Sequence, residues 1–224
     1  MNEITPNEEQ SKSLGDKAYE ILVKRITRLE LPPGAVLAEV SLVQDIGIGR
    51  TPVREALQRL AMEGLVTHRI NRGMFVSEVS FTEVQEIYEF RRIIDSAACR
   101  LACARASAVH TDELMKIHQL LLEATNNNDI DAYVGANNEY YKVLGEAARN
   151  SFIKETIPRI MNLHLRLWFM ISMRLGNWHS IAEAHEVMTH DVAKAIAERD
   201  AEAAEHAINF YITQRQSDLQ QAMT

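Results

Sequence analysis

Two rhythms of apolar residues run along this chain. Leu14, Ala18, Ile21, Leu22, Ile26 and Leu29 recur at helical spacing and predict a first helix. "LPPG" at 31–34 ends it, because Pro32 and Pro33 cannot continue a helix and Gly34 permits a turn. "AVLAEVSLVQDIG" then predicts a short helix over about 39–46, stopped by Gly47. A third helix follows over 51–63. Thr51 is its expected cap, Pro52 fits a first turn, and Val53, Leu57, Leu60 and Ala61 form the expected buried stripe. After Gly64 the period changes. "LVTHRINRGMFVSEV" alternates apolar and polar residues on both sides of "NRG", which predicts strand, turn, strand.

From Phe81 onward the pattern is helical. Helices are expected over about 81–107, 111–126, 129–148, 151–175, 179–198 and 201–220. The breaks are "SAVHTD", "NNND", "ARNS", "GNWHS" and "ERDA", each holding cap or turn residues. No strand-period segment appears in this part. The expected fold is mainly α: an N-terminal winged helix-turn-helix over 14–79, then an all-α antiparallel bundle over 80–224. Residues 1–13, polar and acidic, read as a mobile tail and resemble neither a secretory signal nor a transit peptide.

Charge changes the picture of the third helix. The 224-residue chain carries a formal net charge of −7, yet the charge is uneven. Residues 14–79 hold nine Lys/Arg against eight Asp/Glu, and residues 80–224 hold fourteen against twenty. Within 50–72 there are five Arg and two Glu. A helix made only to fill a core needs no such charge, and a solvated helix needs no apolar stripe. A helix that packs by one face and meets a DNA groove by its N-terminal turn needs both. Arg50, Thr51 and Arg54 are the expected groove residues, with Asn71, Arg72 and Gly73 at the hairpin tip as a wing. No stretch approaches the about 20 apolar residues of a membrane span. Cys99 and Cys103, four apart, suit two buried small residues better than a disulfide or a metal site. That reading favours a reducing, cytoplasmic setting.

"PPGAVLAE", "GRTPVREALQRLAMEGLV" and "NRGMFV" stand in the order and spacing of the GntR family of bacterial transcription regulators. With "EIYEFRRIIDSAACRLACARA", "EYYKVLGEAARN" and "AIAERDAEAAEHAI" further on, the chain resembles the FadR subfamily, with its all-helical ligand-sensing (FCD-type) domain. The resemblance implies a homodimer that binds a palindromic double-stranded operator and answers to a small-molecule effector. Two positions depart from the family. Val40 stands where many relatives carry Arg, so it cannot donate to a phosphate or a base. Many members also hold a divalent metal through one Asp and three His, and those positions here read Asn137, Tyr141, Thr189 and Tyr211. None is a strong ligand.

The sequence therefore points to an effector without metal or other cofactor. Asn137, Tyr141, Thr189 and Tyr211 are candidates to line its site. Arg91 is either a clamp for an effector carboxylate or one half of an ion pair within the bundle. A rearranged metal site near His185 or His190 is the alternative, although five residues of separation put those two on different helix faces. His110, His118, His179 and His206 read as solvated or capping residues. Trp168, Phe169 and Met170 read as core or dimer packing. Tyr141 and Gly145, one turn apart, both bear on the width of the cavity. An enzyme on the His-rich helices is the reading from another class. No nucleophile–base motif, phosphate loop or complete metal triad supports it.

Overall fold

The computed structural model describes residues 12–175 and 178–223. The expected tail over 1–13 lies outside them except for Lys12 and Ser13, as do Gly176 and Asn177 of the "GNWHS" break. The chain forms two compact units, the first ending at Glu78 and the second beginning at Val79.

The first unit comprises α1 (Leu14–Thr27), α2 (Glu39–Ile46), α3 (Arg50–Met62), β1 (Val66–Arg69) and β2 (Gly73–Val76). Ser13 caps α1 by accepting from the Asp16 amide at 3.1 Å. Ala18, Tyr19, Leu22 and Ile26 of α1 pack with Val53, Ala56, Leu57 and Leu60 of α3 in its core. The stripes thus differ in detail from the periodicity: Leu14 and Ile21 are exposed, Ala56 is buried in α3, and Leu29 lies past the helix end at φ 62°. The cap of α3 also shifts by two residues. Gly49, not Thr51, is its N-cap, and Pro52 lies in the first turn, where a missing N–H leaves no bond unmade.

The hairpin pairs Val66 with Val76 and Arg69 with Gly73, antiparallel. Asn71 (φ 59°) and Gly73 (φ 90°) supply the left-handed backbone that this turn requires. A feature absent from the periodicity borders it. The segment after the prolines bridges β2 through Val36 and Phe75, and Leu37 N–H donates to Met74 O at 2.8 Å. The alternation is too short there to be read as a strand.

The second unit is a bundle of α4 (Phe81–Arg105), α5 (Ala108–Asn126), α6 (Ile130–Ala147), α7 (Ser151–Leu175), α8 (His179–Ala197) and α9 (Ala201–Met223). Ser80 and Asp129 cap α4 and α6, and Ser107 with His110 forms a capping box on α5. α4 packs against α6, α7, α8 and α9, so its polar residues are the ones driven inward. Gly145 does not shape a cavity. A Cβ there would lie 3.3 Å from Lys154 Cα, so the glycine lets α6 approach the backbone of α7. Cys99 and Cys103 are buried free thiols.

Candidate nucleic-acid interface and bundle cavity

The three arginines of α3 separate into two tasks. Arg59, although its side chain is 48% exposed, lies over the Tyr19 ring at 3.7 Å from its centroid and donates to Glu63 at 3.2 Å, so its guanidinium is engaged within the unit. Arg50, Thr51 and Arg54 are exposed. The helix start, at Gly49, has no side-chain cap. Arg54 Nε and Nη2 donate to the two carboxylate oxygens of Glu39 at 3.0 and 2.8 Å. That fork uses two of the five guanidinium donors and leaves three directed away from Glu39. The Arg54 hydrogen bond holds the Glu39 carboxyl below its usual range; it outweighs the opposing effect of burial, and the charges of Arg54 and Arg50 add to it. Asn71, Arg72 and Gly73 are exposed at the hairpin tip. Val40 is 55% exposed on α2.

In the bundle, Arg91 and Asp95 are both fully buried. Arg91 Nε and Nη2 donate to Asp95 Oδ2 at 3.0 and 2.8 Å, and Nη2 also donates to the Tyr141 hydroxyl at 2.8 Å. The ion-pair reading of Arg91 is therefore present in the fold, but it leaves Nη1 without a protein partner. Asp95 Oδ1, Tyr88 OH, His164 Nδ1, His185 Nε2 and Arg215 Nε are likewise buried without a protein partner. So many unmatched buried polar atoms in one region are unusual, because each carries a desolvation penalty.

Two of these groups, His164 and His185, meet at a small cavity of about 10 Å³, room for roughly one water. Its walls are Tyr133, Asn137, His164, Leu165, Trp168, His185 and Tyr211. Tyr133 stacks on Trp168 with centroids 5.9 Å apart, and its hydroxyl bonds His185 Nδ1 at 2.9 Å. Of the four positions singled out in the sequence, Asn137 and Tyr211 line this cavity. Tyr141 is engaged with Arg91, and the Thr189 hydroxyl is engaged elsewhere: it donates to Glu186 O at 2.9 Å and meets His118 Nδ1 at 3.1 Å. His118 is thus a buried, bonded residue and not a solvated one. Sequence periodicity did not single out Tyr133, His164 or Trp168 as cavity residues. His185 lies one turn before Thr189, which was its available signal.

These residues do not fit the metal of the family pattern. A divalent ion at Asn137, Tyr141, Thr189 and Tyr211 would meet no imidazole and no carboxylate among the four. It would also sit beside the Arg91 guanidinium that already donates to Tyr141.

The buried histidines make stability depend on pH. Burial first, then the Arg91 charge, depresses His185 to about 3 and holds His164 well below the usual range. The unfolded chain takes up these protons near pH 6.5 and the folded one does not. The stability is therefore present above pH 6.5 and is lost as pH falls through 6.5 toward 3. Urea unfolding at pH 5.5 should give a free energy about 2–3 kcal/mol below that at pH 7.5, and His185→Gln should remove about half of the drop. A pH-independent unfolding free energy over this range would contradict the assignment.

The chain matches the family model "Bacterial regulatory proteins, gntR family" over residues 14–76 and the FCD domain model over residues 86–214. It is 30% identical over 169 residues to the Nta operon transcriptional regulator of Aminobacter aminovorans, covering 75% of this chain and 76% of that one. It is 23% identical over 212 residues to the HTH-type transcriptional repressor RspR of Escherichia coli, covering 94% and 91%. Its fold resembles that of E. coli McbR/YncC with a TM-score of 0.79 at 21% identity, over 96% of this chain and all of that one.

Proposed function

Because the chain belongs to the gntR family of bacterial regulatory proteins and carries an FCD domain, we propose that this transcriptional regulator binds a palindromic operator as a homodimer and is controlled by a carboxylate-bearing metabolite held in the bundle without a metal. The exposed, basic first turn of α3, set on an apolar stripe, supports the operator reading. Arg50, Thr51 and Arg54 enter the major groove, and Asn71, Arg72 and Gly73 meet the neighbouring backbone. One recognition helix reads few bases, so two copies on a two-fold site supply the specificity. α4 and α7 carry the exposed apolar residues Phe90, Ile93 and Phe152, which suit them to the contact between copies.

The observation that carries the effector reading is Arg91 Nη1, a buried cationic donor without a protein partner. A carboxylate is the group that such a donor accommodates best. Asn137 and Tyr211 supply polar wall to the cavity beside this pair, and Tyr141 connects the two, bonded to the guanidinium and stacked on the cavity residue His185 with centroids 6.2 Å apart. The cavity is small in this conformation, so effector entry must move its walls, a differential contact through which binding can shift the regulator between states.

Two measurements test this. Light scattering should give twice the chain mass without operator and two chains per duplex with it; one chain in both would refute the dimer. Thermal shifts with a panel of mono-, di- and hydroxycarboxylates in excess EDTA should show at least one stabilising acid. Stabilisation seen only after a divalent metal is added would refute the metal-free site.

A further inference from the structure

We propose that His118 of α5 and His190 of α8 form a two-imidazole clasp for a divalent late transition metal such as Zn²⁺, at the seam between those helices. The rings lie with centroids 5.4 Å apart and planes at 56°. With a metal–nitrogen bond of about 2.1 Å and about 1.2 Å from nitrogen to centroid, a tetrahedral angle separates two ligating rings by about 5.3 Å. The tilt is compatible, because each ring needs only to hold the ion in its own plane.

The hydrogen bonds fix which nitrogen is free. Thr189 Oγ1 gives its one proton to Glu186 O at 2.9 Å, so it can only accept from His118 Nδ1 at 3.1 Å. The Thr189 carbonyl in turn accepts from Tyr140 OH at 2.8 Å, which pins that residue. Asp191 Oδ1 lies 3.0 Å from His190 Nδ1 and, as a carboxylate, accepts as well. Both imidazoles thus keep the proton on Nδ1 and offer the Nε2 lone pair. An oriented histidine backed by a carboxylate or hydroxyl is the usual outer shell of a metal ligand. Burial, then the neighbouring His190, lowers the His118 pKa, which favours the neutral ring that a metal requires.

Access is uneven in a useful way. His118 is 6% exposed and fixed, whereas the His190 side chain is 45% exposed and open to solvent. No group of three or more His, Cys, Asp or Glu is placed to hold a metal among the described residues. The clasp therefore supplies two ligands and water completes the shell, which makes for exchangeable binding and not a permanent structural ion. Imidazole pairs select Zn²⁺, Cu²⁺ or Ni²⁺ over Mg²⁺ or Ca²⁺. An ion there would fasten α5 to α8, the helix that also carries His185 to the cavity. Only that consequence rests on the effector reading above; metal binding itself does not.

The test uses the full chain, stripped with chelator and exchanged into plain buffer, without effector. Titration with Zn²⁺ should show one equivalent, and Cu²⁺ bound at one equivalent should give an electron paramagnetic resonance spectrum with two nitrogen ligands. His190→Ala, at an exposed position, should weaken Zn²⁺ binding at least tenfold, and His118→Gln should do the same in a variant shown to be folded by circular dichroism. Thr189→Val, which leaves both ligands but frees the His118 ring, should cost about tenfold. Unchanged Zn²⁺ affinity in His190→Ala, or a one-nitrogen copper spectrum, overturns the clasp.

Discussion

Replacing Arg50 and Arg54 together with alanine is expected to weaken operator binding on the order of 100-fold or more, with the oligomeric state and helix content unchanged. Arg50 opens α3 and Arg54 lies one turn on, both exposed and neither needed by the core, so the loss is expected to fall on DNA contacts. A single good base contact discriminates by on the order of 10- to 100-fold, and two phosphate-range cations also leave the salt dependence. Fluorescence anisotropy supplies the measurement, on a duplex selected by the wild-type chain from a random library. The salt slope should fall by about 1–2 along with the affinity. Arg59→Ala is the contrasting variant: Arg59 packs on Tyr19 and Glu63, so it should affect stability more than DNA binding. Wild-type affinity in the double variant would refute the α3 interface.

Glu39 refines this expectation. Its carboxylate aligns Arg54 through two bonds and so removes rotamer freedom before DNA arrives. Glu39→Ala releases the guanidinium and deletes a negative charge beside the interface. Affinity for unrelated DNA should then rise relative to affinity for the selected duplex.

Arg91→Met alone is expected to destabilise the bundle by about 3–5 kcal/mol, because it strands the fully buried Asp95 carboxylate. Arg91→Met combined with Asp95→Leu should recover most of that loss, since two apolar side chains of similar size leave no buried charge unpaired. Urea unfolding of the wild type, the single variant and the pair measures the effect. The pair also separates two roles of Arg91. A folded double variant that no longer responds to the stabilising carboxylate places the effector contact at the guanidinium. A double variant that still responds in EDTA would refute that contact. Recovery of stability is independent of which outcome is found.

The order of elements and the winged helix-turn-helix were legible in the sequence because each depends on nearest neighbours. The prolines at 32–33 stop α1, Gly47 in left-handed geometry stops α2, and Asn71 and Gly73 set the hairpin turn. The same local signals marked Arg50, Thr51 and Arg54, since an arginine on the polar side of an amphipathic helix can be recognised from spacing alone. The absence of the usual metal ligands was legible through the family resemblance, which aligns Asn137, Tyr141, Thr189 and Tyr211 with one Asp and three His. Contact across the bundle is a different matter. Nothing in the spacing of residues 88–95 pairs Arg91 with Asp95 and Tyr141 while leaving one guanidinium nitrogen over. Nor does it bring His118 within reach of His190, or His164 and His185 to one cavity. Those outcomes are set by how helices distant in sequence rotate and pack to bury their apolar faces. A turn of α8 carries Thr189 toward His118 and His185 toward Tyr133, and only the packed bundle decides which polar group finds a partner and which is left without one.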